Sequence, residues 1–415
     1  MTCPRSRQTM PITAPRNENF GKLAAGYLFP VIGKKKKDYM EANPGAKLIS
    51  LGIGDTTCPL PGPIADAMAA YAKGLGTLEG YEGYDPKSES VLQEKIAKVL
   101  YNDMVKPNEV FISDGSKCDL GRLQILFGQA ATVAVQDPAY PVYVDSSVIF
   151  GRSAACDPTT KQYPGITYMP CTMDNGFFPD INLAKDSDII VFCNPNNPTG
   201  ACATRAQMES LVKFAKDNGK IILFDSAYAA FITDPDCPKS IYEIEGGREV
   251  AMESSSFSKL AGFTGVRLGW ITCPEELKFA DGTPVKQDLA RIMSTLFNGA
   301  GSVAQAGGLA VLDNMEEVKA IVKYYGENAK LIRECLTECG ITYFGGTNAP
   351  YTFAHFPGKD SWDMFDEILT KCEVVTTPGV GFGPAGQGYV RISAFGQRDN
   401  VIEACARLKK HFKKE

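Results

Sequence analysis

At 415 residues, 44% hydrophobic and 22% charged, the chain has the length of about two to three domains and the balance of a soluble globular protein with a large core. Its 43 Lys and Arg against 48 Asp and Glu leave a net charge of -5, which excludes a global basic field for nucleic acid or anionic lipid, and no apolar run reaches membrane-spanning length. Only two histidines, His355 and His411, stand far apart, which argues against a zinc site (no metal is expected) or a Ser-His-Asp triad; the 13 cysteines form no C-x-x-C pair and suit free thiols in a reducing compartment.

The first seventeen residues carry Arg5, Arg7 and Arg16 and no acid, a composition that suits a transit-peptide remnant or a disordered tail. The expected compartment is the cytoplasm, or the plastid stroma if this segment directs import. From Asn19 to Ala42 the sequence predicts an arm, a turn at Gly26 to Pro30, and a basic helix whose Lys34 to Lys37 run forms a solvated face. Lys47 to Gly52 reads as a short strand, followed by the polar loop Gly54-Asp55-Thr56-Thr57. Proline at 61 and 63 opens a helical pattern of Ile64, Ala67, Met68 and Tyr71.

From Val110 short apolar runs alternate with helical stretches. The runs are Val110 to Ile112, Thr132 to Val135, Ile166 to Met169, Ile189 to Cys193, Ile221 to Phe224, Val250 to Met252 and Leu268 to Thr272. Among the helices, Thr204 to Asn218 is the clearest: Thr204 and Gln207 form a capping box, Met208, Leu211, Val212 and Ala215 make one stripe, and Gly219 ends it. Strands rich in β-branched residues and joined through helices imply an α/β fold with a mostly parallel sheet covered on both faces, and such sheets take ligands at the carboxyl ends of their strands. After about Gly307 the pattern changes to long helical stretches, Leu309 to Cys339 and Trp362 to Lys371, around strands at Tyr351 to Phe356 and Tyr389 to Ile392 and a glycine-rich loop from Gly379 to Gly388. The expected division is residues 1–60 as an arm and part of a small α+β domain, 61–306 as the large ligand-binding domain, and 307–415 as the rest of the small domain.

Five strand ends carry chemistry. Ser113-Asp114-Gly115-Ser116-Lys117 leads into a helix whose free N–H groups suit a phosphate. Tyr140 follows Gln136-Asp137-Pro138-Ala139 and is placed to stack on a flat ring. Asn194 to Gly200, NPNNPTG, is a rigid double-proline turn with amide donors, and Asp225 is an acid at the mouth of the core that needs a cationic partner such as a protonated pyridine nitrogen. Lys259, in SSSFSKLAGFTGVR, lies between two apolar strands where partial desolvation lowers an amine's pKa, with hydroxyls before it and Arg267 after it. Each piece alone also suits an ordinary turn, cap or packed aromatic. Jointly they describe a flat, phosphorylated, cationic heterocycle with an aldehyde, which is pyridoxal 5'-phosphate.

These motifs, with GYLFP, LGIGDTT, SDGSKCD, QDPAYPVYVDSSV, FDSAYA and GFGPAGQGYVRISAFG, extend over nearly the whole chain, which resembles the class I/II aminotransferases among fold-type-I pyridoxal-phosphate enzymes. The resemblance implies a seven-stranded, mostly parallel central sheet flanked by helices, with a smaller domain built from the N- and C-terminal segments. It also implies that Lys259 bonds the cofactor aldehyde and moves the substrate proton, that Asp225 keeps the ring nitrogen protonated, that Asn197 and Tyr228 bond the ring hydroxyl, and that Tyr140 stacks on the ring. Ser116, Lys117, Ser256, Ser258 and Arg267 would hold the phosphate region, with Lys117, Tyr140 and Asn197 also bordering the substrate. Arg391 matches the arginine that clamps the substrate α-carboxylate. Family members are homodimers acting on small amino and oxo acids. Tyr84, at the cofactor, and Asn298, at the substrate, match positions lent by the partner, and Tyr27 and Gly54 match substrate contacts from the arm and its following loop.

One departure concerns specificity. A branch of the family whose substrates carry a distal amino group reads GYG-x-EQG around this tyrosine, with a Glu for that group. Here Gly83-Tyr84-Asp85-Pro86-Lys87-Ser88-Glu89 puts Lys87 in the Glu register, where a cation repels an ammonium unless Asp85 or Glu89 takes over. Two other readings stand beside transamination: a lyase using the same cofactor, and a non-catalytic regulator of the same fold. Regulators of that kind add a DNA-binding module, for which this chain has neither basic domain nor room.

Overall fold

The computed structural model describes residues 13–24, 28–84 and 87–413; Tyr27, Asp85, Arg5 and Arg7 therefore lie outside the described residues. After a first short strand, β1 (Ile49–Ser50), come β2 (Val110–Ser113), β3 (Val133–Asp137), β4 (Ile166–Pro170), β5 (Ile189–Cys193), β6 (Ile221–Asp225), β7 (Ala251–Ser256) and β8 (Gly269–Thr272). The last seven form one sheet in the order β2-β8-β7-β6-β5-β3-β4, parallel except that β8 runs against both its neighbours. All five residues of β3 and of β5 are buried, as a sheet covered on both faces requires. Two apolar clusters cover the faces, one including Ile64, Met208, Leu211 and Trp270, the other Leu120, Leu123, Tyr143 and Val148.

A second sheet follows: β9 (Tyr343–Gly345), β10 (Tyr351–His355), β12 (Thr377–Pro378) and β13 (Tyr389–Ser393) pair antiparallel, while β11 (Val374–Val375) pairs with β1. This pairing ties the N-terminal segment into the smaller part, whose core joins Ile49 and Leu51 to Ile332, Ile368, Val390 and Val401.

The helix Arg205–Asn218 has the expected box, Thr204 accepting from Gln207 N and Gln207 Oε1 from Thr204 N, and Gly219 closes it at φ 62°. The single stretch Leu309 to Cys339 is instead two helices, Ser302–Asp313 and Met315–Glu338, separated at Asn314, whose side chain caps the first by donating to Ala310 O. Ala310, Val311, Leu312 and Val318 pack into the large core, and the small core begins at Ala329. The helix Met315–Glu338 thus runs from one core to the other, its amphipathic stripe continuing without a break in pattern.

Candidate active site

The strand ends converge on a cavity of about 540 Å³ between the two parts of the chain. Because β8 is antiparallel, its start lies at the carboxyl ends of its neighbours, and Arg267 arrives beside the turn after β2. That turn bends at Gly115, with φ 119°, and a Cβ there would stand 2.6 Å from Arg267 Nη2. Ser116, Lys117, Ser256, Ser258 and Arg267 all line the cavity. Buried Ser116 Oγ has no hydrogen-bond partner among the described residues. Two cations, three hydroxyls and the start of the helix Ser116–Leu126 make a donor set that fits a phosphate.

Lys259 stands on the short helix Phe257–Leu260 directly after β7, with Ser256 as N-cap accepting from Ser258 N. Its Nζ donates to Gly54 O and lies 5.4 Å from the centre of the Phe395 ring. Burial is the main force lowering its pKa to about 8, with Asp55 pulling the other way and Arg391 and Arg267 reinforcing the drop.

Asp225, at the end of β6, faces the same cavity and is 5% exposed. Tyr143 donates to its Oδ2 at 2.7 Å and Ala227 N to its Oδ1 at 3.0 Å. Burial pushes its carboxyl up, while those two donors oppose the rise. The neighbouring Ser226 donates to Glu253, a buried carboxylate that also accepts from Tyr101, Ser240 and Ile241 N, so the ends of β6 and β7 are fixed from behind.

Arg391 projects from β13 and is 1% exposed. Its Nη1 donates to Asn197 Oδ1 at 2.6 Å and its Nη2 to Gly52 O at 2.5 Å, while its guanidinium lies 4.3 Å from the Tyr351 ring and 4.8 Å from that of Phe382. Among the described residues no carboxylate balances it, and its Nε has no partner. A buried guanidinium bonded only to neutral oxygens and aromatic faces fits an incoming carboxylate.

Asn197 is held by its turn, in which Asn196 Nδ2 donates to Pro138 O and Thr199 Oγ1 and Asn194 Oδ1 accepts from Ala203 N. Tyr228 shares a 2.8 Å hydrogen bond with Tyr351. Gly54 approaches the Tyr351 hydroxyl so closely that a Cβ would collide with it. Tyr140, Asn197, Tyr228 and Gly54 all line the cavity; Tyr84 and Asn298 do not, both being exposed.

Three residues of consequence escaped the sequence reading. Tyr143 braces Asp225 from the first turn of the helix Val142–Phe150 and meets Tyr140, just before that helix, edge-on at 5.7 Å; its signal was the three-residue spacing from Tyr140. Tyr351 and Phe382 sandwich Arg391 from strand β10 and from the glycine-rich loop, pairings that no local pattern announces.

The family model for aminotransferase class I and II matches residues 46–408. A rice protein (Oryza sativa subsp. japonica) described as a probable LL-diaminopimelate aminotransferase, chloroplastic, is 52% identical over 414 residues, 99% of this chain and 89% of its own. An LL-diaminopimelate aminotransferase of Protochlamydia amoebophila is 49% identical, over 95% of this chain and 97% of its own. Among solved structures, L,L-diaminopimelate aminotransferase from Chlamydomonas reinhardtii superposes with a TM-score of 0.92 at 56% identity, covering 97% of this chain and 99% of that one.

Proposed function

This chain belongs to the class I and II aminotransferase family and is an aminotransferase, and we propose that it exchanges amino groups between LL-2,6-diaminopimelate with 2-oxoglutarate and tetrahydrodipicolinate with glutamate, in lysine biosynthesis. The family implies pyridoxal 5'-phosphate dependence, and the donor set around Ser116 and Arg267 suits that group. The observation that carries the reading is the meeting of Lys259, Asp225 and Arg391 in one cavity.

When bound, pyridoxal phosphate supplies an electrophilic aldehyde and a ring that accepts the electron pair left by a departing α-proton. Ser116, Lys117, Ser256, Ser258 and Arg267 would hold its phosphate. Tyr140 would pack against its ring, Asn197 and Tyr228 would serve its hydroxyl, and Asp225 would pair with its ring nitrogen. The Tyr143 hydroxyl opposes the rise that burial imposes on the Asp225 carboxyl. Arg391 binds the α-carboxylate of amino and oxo acid alike and so orients the Cα–H bond. At pKa about 8 roughly a quarter of Lys259 is neutral at pH 7.5, against about one in a thousand for an ordinary lysine, so Nζ takes up and returns the substrate proton near neutrality.

The enzyme acts on small amino and oxo acids. We assign it a homodimer in which Tyr84 and Asn298 reach the partner's site, with Tyr27 and Gly54 as substrate contacts from the arm and its following loop. The exposure of Leu78 (91%), Tyr81 (68%) and Tyr84 (84%) supports a covering partner at this edge. The reaction runs in an aqueous compartment, cytoplasm or plastid stroma; among the described residues no helix is long and apolar enough to cross a membrane.

Lys87 supports a second reading, an aminotransferase for another amino acid, because it stands exposed immediately before the helix Ser88–Tyr101, in the register of an ammonium-binding Glu. A donor panel on wild type and Lys87→Glu decides. Turnover of LL-diaminopimelate above aspartate and aromatic donors supports the first reading. Activity with those donors and none with diaminopimelate defeats it.

A further inference from the structure

The site depends on a seam between two parts of the chain, at which one buried acid has a task that the reaction itself does not assign. Asp137 ends β3, is 2% exposed, and has no cationic partner among the described residues. Its main-chain carbonyl accepts from Cys171 N at 2.7 Å, so the strand end is fixed. Its side chain points across the seam: Oδ1 accepts from Ala385 N at 3.2 Å, and a Cβ at Gly383 would run into that same oxygen. Two residues on, Ala139 N donates to Phe382 O at 2.9 Å.

The loop thus gripped carries Phe382, whose ring lies 4.8 Å from the Arg391 guanidinium and is met edge-on by Phe29 at 6.4 Å. On its other side Asp137 is three residues from Tyr140, which lines the cavity. One carboxyl therefore joins the end of the strand that delivers the ring-stacking residue to the loop that backs the carboxylate-binding arginine.

We propose that Asp137 is a positioning residue for substrate recognition: it sets the Phe382 loop, and through it Arg391, at a fixed distance from the Tyr140 face of the cavity. This rests on the reading of Arg391 as the α-carboxylate site. Asp137 does not line the cavity, so it governs how well the carboxylate is held rather than the proton transfer.

Electrostatics support the role. Burial pushes the Asp137 carboxyl up to about 7, and the groups that face it are Tyr168 from β4, Cys171 just after that strand, and the Ala385 amide from the loop. A buried carboxylate with a single amide donor is poorly compensated. The Ala385 amide opposes that rise, because its N–H binds the ionised oxygen more strongly, and this bond is the carboxyl's contact across the seam.

The test is steady-state kinetics on the holoenzyme for Asp137→Ala, Asp137→Asn and Arg391→Lys, with the cofactor's visible absorbance recorded for each. Asp137→Ala is expected to raise KM for both amino donor and oxo acceptor about three- to tenfold, the scale of one lost hydrogen bond, with kcat and absorbance little changed. Asp137→Asn, which keeps an acceptor at Oδ1, is expected to recover most of that loss. Should Asp137→Ala prove insoluble, Asp137→Ser, whose shorter side chain withdraws the acceptor from Ala385 N, takes its place with the same expected rise. An unchanged KM in Asp137→Ala or Asp137→Ser, a fall in kcat with loss of absorbance, or an Asp137→Asn enzyme no better than the shortened variant overturns the role. If Arg391→Lys itself leaves KM unaltered, it is the carboxylate reading that fails.

Discussion

The Tyr143 hydroxyl donates to Asp225 Oδ2 across 2.7 Å, from a helix face that also sets the Tyr143 ring at 87° to Tyr140. A phenol whose own pKa is driven well above its ordinary value by burial stays a donor at every working pH, so this support for the carboxylate does not titrate. Replacing Tyr143 by Phe leaves Asp225 with the Ala227 amide alone, and burial then favours the neutral acid.

Tyr143→Phe is accordingly expected to lower kcat about ten- to a hundredfold, the worth of a hydrogen bond to a charged group, with a small effect on KM. Stopped-flow and steady-state rates check this. Unaltered kcat together with an unaltered cofactor spectrum would remove Tyr143 from the scheme.

Arg391→Lys keeps the charge and loses the fork that spans Asn197 Oδ1 and Gly52 O, along with the stacking between Tyr351 and Phe382. KM for donor and acceptor is expected to rise together by about ten- to a hundredfold, since both present the same α-carboxylate to two charge-assisted bonds. Isothermal titration with a dicarboxylate inhibitor reads the same loss without turnover. A rise confined to one substrate would place the carboxylate elsewhere.

The apoprotein's response to pH follows from Lys259. Its folded pKa of about 8 lies below its ordinary 10.5, so between those values the unfolded chain holds the extra proton and stability from this group rises with pH; below 8 both states are protonated and the buried charge costs its full amount. Reaction of the apoprotein with an aldehyde requires the neutral amine. Its rate should therefore climb close to tenfold per pH unit below about 8 and level off above, as followed by visible absorbance. A rate still climbing at pH 10 would mean an unperturbed lysine.

Shared sites in a dimer can be read by complementation. Lys259→Ala and Tyr84→Ala chains, each impaired alone, form hybrids in which one of two sites has both residues. Random exchange should restore about a quarter of wild-type activity. No recovery in a mixture shown by mass spectrometry to contain hybrids would confine each site to one chain.

Much of this was legible in the sequence because it is local. The apolar runs at Ile189 to Cys193 and Ile221 to Phe224 became β5 and β6 almost residue for residue, and the Thr204 box and Gly219 bounded their helix. Loops that follow strands of a parallel sheet meet at one edge by topology, so Ser116, Tyr140, Asn197, Asp225 and Lys259 shared a cavity without long-range information. What escaped was set by tertiary contact. Phe382 reaches Arg391 and Asp137 reaches Ala385 across a domain seam, and the break at Asn314 interrupts a stripe whose periodicity continues on both sides.

The most direct measurement is amino-group exchange by Lys259→Ala, reconstituted with pyridoxal phosphate and compared with wild type in rate and visible spectrum. Removing the amine while Asp225, Arg391 and the phosphate donors remain is expected to slow exchange by at least about a thousandfold and to abolish the absorbance change on adding substrate. Exchange at the wild-type rate, with the wild-type spectral response, would contradict the assignment of the lysine on which every other role in the site depends.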